Sequence, residues 1–340
     1  MLNTAPSLAD ARRSAQAVRD AVSSVVLGQE RAIFLLAICV FARGHVLLEG
    51  DVGSGKTTLL RAFARAVGGP FERIEGAIDL APGDLLYNAY VDGDGRPRVE
   101  PGPVLRHGDD LAIFFFNEIN RARPQAHALL LRVMAERKVR AFNRDYAFPA
   151  LQVFADRNRV EREETFELPA AARDRFFMEI GIGAPSDAAT RRRLIFDVRF
   201  HDVDALIEAI PEGIVDYRSL EGIAAAIQKE VRASAAVEAY VASLAQAIVD
   251  PVSVGIQIDG VDMNRLVQGG ASPRGLSYLV RAARVRAFFA DRDYLTPEDI
   301  RDVFAPVMAH RIFLDPVYEL RREPLVAELC SRAFDVTPAP

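Results

Sequence analysis

Gly50-Asp51-Val52-Gly53-Ser54-Gly55-Lys56-Thr57 reads as G-x-x-x-x-G-K-[ST], a loop whose backbone N–H groups wrap around the phosphates of a nucleotide. Its flanks fit that reading. Val46-Leu47-Leu48 is an apolar run of buried-strand character, and Thr58 to Ala66 carries a helical apolar period that stops at Gly68-Gly69-Pro70. Glycines let the backbone curl around phosphates, and the N-terminus of the following helix adds a positive dipole end. Lysine is found at positions 56, 138 and 229 among 42 basic residues, so its use at 56 stands out. That is where β- and γ-phosphates need a flexible point charge. The stretch, extended to Thr58, predicts a nucleoside-triphosphate site.

Around that motif the chain reads as an ordinary globular protein. Its 340 residues suffice for two domains with real cores. Half the residues are hydrophobic and 26% are charged, and the net charge of −5 argues against a general nucleic-acid binder. Cys39 and Cys330 are too few for a disulfide framework or a metal site and read as small buried hydrophobes. The N-terminal stretch carries Asp10, Arg12 and Arg13 without an apolar core, which does not resemble a signal peptide. The apolar run Ala32–Ala42 is too short to span a bilayer, so no membrane insertion and a cytoplasmic location are expected.

Strands alternate with helices through the first half. Strands are expected at 46–48, 71–74, 111–116, 151–154 and 177–180, with helices at 9–26, 31–42, 58–66, 124–137 and near 169–176. Asp-Gly pairs between Asn88 and Pro97 suggest a hairpin. This alternation implies a parallel sheet with helices on both faces. Composition shifts at Gly181–Ser186. Beyond it helices are expected at 188–198, 202–209, 220–249, 273–290 and 297–310, with starts at Ser186-Asp187, Ser272-Pro273 and Thr296-Pro297. The fold class is therefore an α/β P-loop NTPase core, residues 1–183, followed by a smaller all-helical lid, residues 184–340.

A phosphate loop needs a partner strand whose polar end handles Mg²⁺ and water. Phe114-Phe115-Phe116-Asn117-Glu118 has that form, three aromatic strand positions leading into two polar ones. Glu118 is suited to orient or deprotonate the attacking water. The residue ahead of it is ordinarily an aspartate that holds the Mg²⁺ shell, whereas here it is Asn117. Thr57 and Asn117 are the expected Mg²⁺ contacts. Asparagine brings no negative charge, so weaker Mg²⁺ binding, slower turnover or both would follow.

These residues resemble the MoxR family of AAA+ ATPases. His45–Gly50, the phosphate loop, Asn117–Ala122, Glu164–Pro169, Asp174-Arg175-Phe176 and Gly270–Gly275 fall in the family's order, from Gly28-Gln29-Glu30 to His310-Arg311. The family pattern has Asp-Glu where this chain has Asn117-Glu118, and a Gln-Asn-Pro-like sensor where it has Asp156-Arg157-Asn158-Arg159. The resemblance implies that Gly28 and Gln29 join the nucleotide site and that Asn158 contacts the γ-phosphate and water. It implies that Arg274 reaches the γ-phosphate from the lid and that Arg175 is an arginine finger given to a neighbouring subunit, with Arg173 as its rival. A guanidinium suits this, because it binds phosphoryl oxygens bidentately.

The resemblance further implies ATP and Mg²⁺ as cofactors, a homo-oligomeric ring of about six subunits, a von Willebrand factor A-domain partner and a client metallo- or quinoprotein. The role it implies is a chaperone-like motor for metal or cofactor insertion. Asn117-Glu118 and Phe154–Glu161 look closest to members that serve methanol dehydrogenase by calcium loading. Two other readings stand beside it: a nucleotide-gated assembly scaffold with little hydrolysis, and a magnesium-chelatase-like motor. Tyr87, Tyr90 and Arg96 in the hairpin either touch a partner at a ring pore or form an ordinary surface loop. His127 and His310 read as packing residues, and Arg191-Arg192-Arg193 as a solvated helix face.

Overall fold

The apolar run ahead of the phosphate loop becomes an inner strand of a parallel sheet. The computed structural model describes residues 7–158 and 166–340. Its strands are β1 (Val46–Gly50), β2 (Phe71–Glu75), β3 (Tyr87–Val91), β4 (Pro97–Pro101), β5 (Ile113–Asn117), β6 (Lys138–Ala141), β7 (Arg144–Ala147), β8 (Gln152–Asn158), β9 (Met178–Ile182), β10 (Val267–Gly269) and β11 (Phe313–Leu314). Its helices are α1 (Leu8–Val25), α2 (Glu30–Phe41), α3 (Lys56–Val67), α4 (Pro124–Glu136), the single turn α5 (Ala170–Arg173), α6 (Ala188–Phe196), α7 (Val203–Glu208), α8 (Leu220–Glu230), α9 (Ala235–Val249), the turn α10 (Met263–Leu266), α11 (Pro273–Phe289), α12 (Pro297–Met308) and α13 (Arg322–Val336).

Among the described residues the main sheet has the order β2-β5-β8-β1-β9. The pairs β1/β8, β5/β8 and β2/β5 are parallel, and their register sets Gly50 beside Asn158 and Glu75 beside Asn117. Loops that leave the carboxyl ends of such strands line one crevice, which is where open α/β sheets bind ligands. Phe114 and Phe116 enter a core cluster with Ala126, Leu130 and Val133 of α4, while Phe115, one residue out of phase, is buried away from it. Both faces of β5 are thus covered, which explains its unbroken apolar run.

The chain forms two compact units. The first takes the described residues up to Phe176 together with Ile180–Ile223, and the second takes Phe177–Glu179 with Ala224–Pro340. The division expected at 183/184 therefore falls forty residues early. The segment 188–214 is tied to α3: Arg61 meets Asp204 at 2.7 Å, and Arg65 Nε donates to Ile210 O at 2.8 Å. Gly213 N and Ile214 N donate to the carbonyls of Arg65 and Ala66 at 3.0 and 2.8 Å. A change to helical composition does not move a segment off the unit that supplies its partners.

From Ala224 onward the second unit is helical apart from the antiparallel ribbon β10/β11. The single helix expected over 220–249 is two. Arg232 leaves the helix to exchange backbone hydrogen bonds with Asp293 O and Leu295 N, and Ser234 Oγ then caps α9 by accepting from Val237 N. Continuous apolar periodicity hid a break that contains neither glycine nor proline. Helix α13 and the hairpin β6/β7 were not anticipated either. Cys39 and Cys330 are buried free thiols, as expected, and burial raises both pKa values, that of Cys330 to about 12.

Candidate functional site

Gly55 has φ +87°, a left-handed conformation that glycine takes without strain, and it starts α3 at Lys56. Gly50 must also be glycine: a Cβ there would lie 2.1 Å from Ile182 O. Asp51, Val52 and Gly53 are exposed at the loop's tip, while Lys56 is buried. Its Nζ donates to Gly50 O, Asp51 O and Asn158 Oδ1 at 2.9, 3.0 and 2.7 Å. Phosphate oxygens are acceptors of the same kind and would compete for those donors.

Opposite the loop, the end of β5 turns sharply. Glu118 has φ +50° and ψ +50°, an uncommon conformation for a residue with a Cβ. Its backbone N–H donates to Asp156 Oδ1 at 2.6 Å. Its carboxylate accepts from Asn158 Nδ2 at 3.2 Å and from Arg121 at 2.9 Å. Asn117 Nδ2 donates to Glu75 Oε1 at 3.1 Å, which leaves its Oδ1 to accept from Thr57 Oγ1 at 3.3 Å. A carboxylate only accepts, so Glu75 fixes the orientation of the Asn117 amide.

Asp156 is 2% exposed. Burial pushes its carboxyl up to about 6, against the Glu118 N–H and the Lys56 charge, which favour the ionised form; the nearby Glu118 charge adds to the rise. Lys56, Thr57, Asn117, Glu118, Asp156 and Asn158 line one cavity of about 340 Å³. Among the described residues no group of three His, Cys, Asp or Glu side chains could hold a metal by itself. The oxygens of Thr57 and Asn117 are suited to a Mg²⁺ that arrives with phosphates.

A second cavity, also about 340 Å³, shares Gly53, Ser54, Gly55 and Thr58 with the first and has an apolar wall of Val26, Pro185, Leu194, Phe200 and Leu206. Gly28 and Gln29 shape it. A Cβ on Gly28 would come within 2.7 Å of Pro185, and Gln29 Nε2 donates to Gly183 O at 2.6 Å. A polar phosphate end joined to an apolar slot suits a nucleotide with its base in the slot. The slot's wall carries no motif and escaped sequence reasoning, as did Glu75 and any role for Asp156.

The arginines are spread more widely. Arg173 closes α5, and Arg175 follows it, half-buried, with its guanidinium donating to Ala171 O at 2.7 Å. Arg175 lines neither cavity. Arg274 belongs to the second unit, exposed in the first turn of α11 behind the Ser272 cap. Arg159 and the Glu164-Thr165 part of the family motif lie outside the described residues. Tyr87 and Tyr90 are exposed on the hairpin, where Tyr90 donates to Glu100 at 2.6 Å, and Arg96 is exposed at the turn. His127 and His310 are buried packing residues, and Arg191–Arg193 are exposed.

A phosphate loop, a glutamate-ended apolar strand and a polar third strand end on one parallel sheet define a P-loop ATPase. Residues 45–178 match the ATPase family associated with various cellular activities (AAA), and residues 262–329 match the AAA lid domain. Protein MoxR of Methylorubrum extorquens is 62% identical over 98% of this chain and 97% of its own, and Protein MoxR of Paracoccus denitrificans 59% over 94% of each. Chaperone MoxR1 of Mycobacterium tuberculosis is 34% identical over 86% of this chain and 74% of its own. A Cytophaga hutchinsonii crystal structure, provisionally assigned as an ATPase, superposes with a TM-score of 0.82 at 29% identity, covering 97% of this chain and 96% of that one. The chain belongs to the MoxR family of AAA+ ATPases.

Proposed function

We propose that this chain is an ATP-hydrolysing, chaperone-like motor that remodels a client protein for metal or cofactor insertion, the client being a quinoprotein of the methanol dehydrogenase type that takes up calcium. The observation that carries the hydrolytic part is the convergence of Lys56, Glu118 and Asn158, joined by hydrogen bonds of 2.7 and 3.2 Å through Asn158. Lys56 exchanges its loop carbonyls for β- and γ-phosphate oxygens. Glu118 orients the attacking water and takes its proton, and Asn158, released by Lys56, steadies water and γ-phosphate. Thr57 Oγ1 and Asn117 Oδ1 would hold Mg²⁺, which when bound neutralises charge on the β/γ oxygens. Arg175 from a neighbouring subunit and Arg274 from the lid complete the charge stabilisation, so hydrolysis requires the ring.

The chaperone role is supported by the name of the Mycobacterium tuberculosis relative, and the choice of client by the resemblance to members serving methanol dehydrogenase. A von Willebrand factor A-domain partner and a cytoplasmic site of action belong to the same reading. Among the described residues no helix is long and apolar enough to cross a membrane. The test is the calcium content, per mole, of the quinoprotein purified from cells carrying the wild-type chain or Glu118→Gln. The expected result is full occupancy with the former and a calcium-poor client with the latter. Equal occupancy in both would contradict the client assignment.

A further inference from the structure

We propose that Asp156 is a positioning residue for this ATPase: from the strand beside Asn117 it holds the backbone of Glu118 and supplies the buried negative charge that Asn117 does not carry. The inference rests on the ATP-hydrolysis reading given above. Strand β8 pairs with β5 up to Phe116 and Ala155, so Asn117 and Asp156 are the next step in register on adjacent strands. Strands in a sheet lie about 4.8 Å apart, which makes the two positions neighbours in the lining of the same cavity. A carboxylate at either position faces the same Thr57–Lys56 end of the nucleotide site.

Its backbone role is as specific as its charge. Glu118 needs support, since its left-handed φ of +50° carries a steric penalty for a residue with a Cβ. Two contacts hold it. Asp156 Oδ1 takes the Glu118 N–H at 2.6 Å. On the other side Gly76 N donates to Asn117 O at 2.7 Å, and Gly76 lies so close that a Cβ would sit 2.1 Å from Glu118 O. This grip aims the Glu118 carboxylate at Asn158 and Arg121. Asparagine at 156 can still accept the Glu118 N–H but carries no charge, so it separates the two roles.

The test compares wild type, Asp156→Asn and the charge-moving double variant Asn117→Asp/Asp156→Asn. Each is measured for kcat and for affinity toward a fluorescent ATP analogue, in Mg²⁺ and in EDTA. The expected loss in Asp156→Asn is about 10- to 100-fold, in kcat and in the affinity gained from Mg²⁺, the range typical of residues that support a metal's ligands. Its affinity in EDTA stays near wild type, and circular dichroism reports the native fold. The double variant is expected to regain both quantities to within about threefold, since the two positions are coupled. A folded Asp156→Asn protein with wild-type Mg²⁺ dependence and kcat would overturn the proposal, as would a folded double variant no better than the single one. If the wild type turns over no ATP, the hydrolysis reading fails by itself, and the Mg²⁺-dependent affinities still judge Asp156.

Discussion

Two buried aspartates, one in each unit, live in opposite electrostatic settings. Asp299, fully buried at the start of α12, accepts from Arg286 at 2.6 Å, from Arg292 at 2.6 and 2.7 Å and from Thr296 N at 2.9 Å. Burial alone would raise its pKa, yet Arg292, the Thr296 N–H and Arg286 hold the carboxyl below its usual range. Asp156 is almost as buried but, among the described residues, its hydrogen-bond donor is the Glu118 N–H, and its carboxyl rises to about 6. The first charge is neutralised where it stands and serves the fold. The second lines a nucleotide site with only the Lys56 and Arg73 charges near it to offset burial, the setting expected of a group that works on a ligand.

That contrast predicts opposite outcomes for the same chemical change. Asp299→Asn leaves two arginines facing a neutral amide in the interior and is expected to cost about 3–5 kcal/mol, read from urea unfolding. A loss below about 1 kcal/mol would mean that the arginines find solvent easily. Asp156→Asn should instead stabilise the protein at pH 8, by up to about 3 kcal/mol, because burial raises the carboxyl from its usual 3.8 to about 6. The sign follows from the protons bound. Between pH 4 and 6 the folded protein keeps a proton that the unfolded chain has lost, so wild-type stability falls as pH rises through that window. The advantage of Asp156→Asn therefore grows from pH 4 to 6 and levels off above it. An unfolding series at pH 4, 6 and 8 checks this, and a variant less stable than wild type at pH 8 would contradict it.

Gly76→Ala sharpens the comparison from the backbone side. Its Cβ would collide with Glu118 O, so the strained turn must shift, at a cost of about 1–3 kcal/mol in stability. The account expects kcat to fall at least about tenfold while ATP affinity changes little, since the glutamate moves and the phosphate loop does not. Equal loss in both quantities would place the damage in the loop instead. The smallest effect belongs to Asp197. Arg199 beside it holds its carboxyl down at about 2, but the pair sits at the surface with the Arg199 guanidinium largely exposed. Asp197→Asn should leave the melting temperature within about 1 °C of wild type at moderate salt.

The parts of this site that were legible in the sequence are those built from contiguous residues. The phosphate loop and Phe114–Glu118 each place their chemistry by one strand and one turn, so spacing alone locates Lys56, Thr57, Asn117 and Glu118. Asn158 was located by resemblance, and the register of β8 beside β1 explains its bond to Lys56. The roles of Asp156 and Glu75 were invisible because they depend on which strands are neighbours, and β8, which begins 35 residues after β5 ends, inserts between β5 and β1. The apolar slot escaped notice for a related reason: Leu194, Phe200 and Leu206 sit in helical sequence that was read as lid, but they line one cavity with Thr58 of α3 and with Val25, Val26, Leu27 and Gln29. Periodicity reports an element's type, and the contacts that decide its unit are made elsewhere in the chain.

The central claim is that Glu118, set by this sheet, hydrolyses ATP with help from a neighbouring subunit. Its most direct test is the ATPase rate per subunit, with Mg²⁺, measured against protein concentration for wild type and Glu118→Gln. The account predicts a wild-type rate that rises with concentration as subunits assemble and a variant that still binds ATP but does not turn it over. A wild-type rate that stays flat at background while ATP remains bound, or one that Glu118→Gln leaves unchanged, would contradict it.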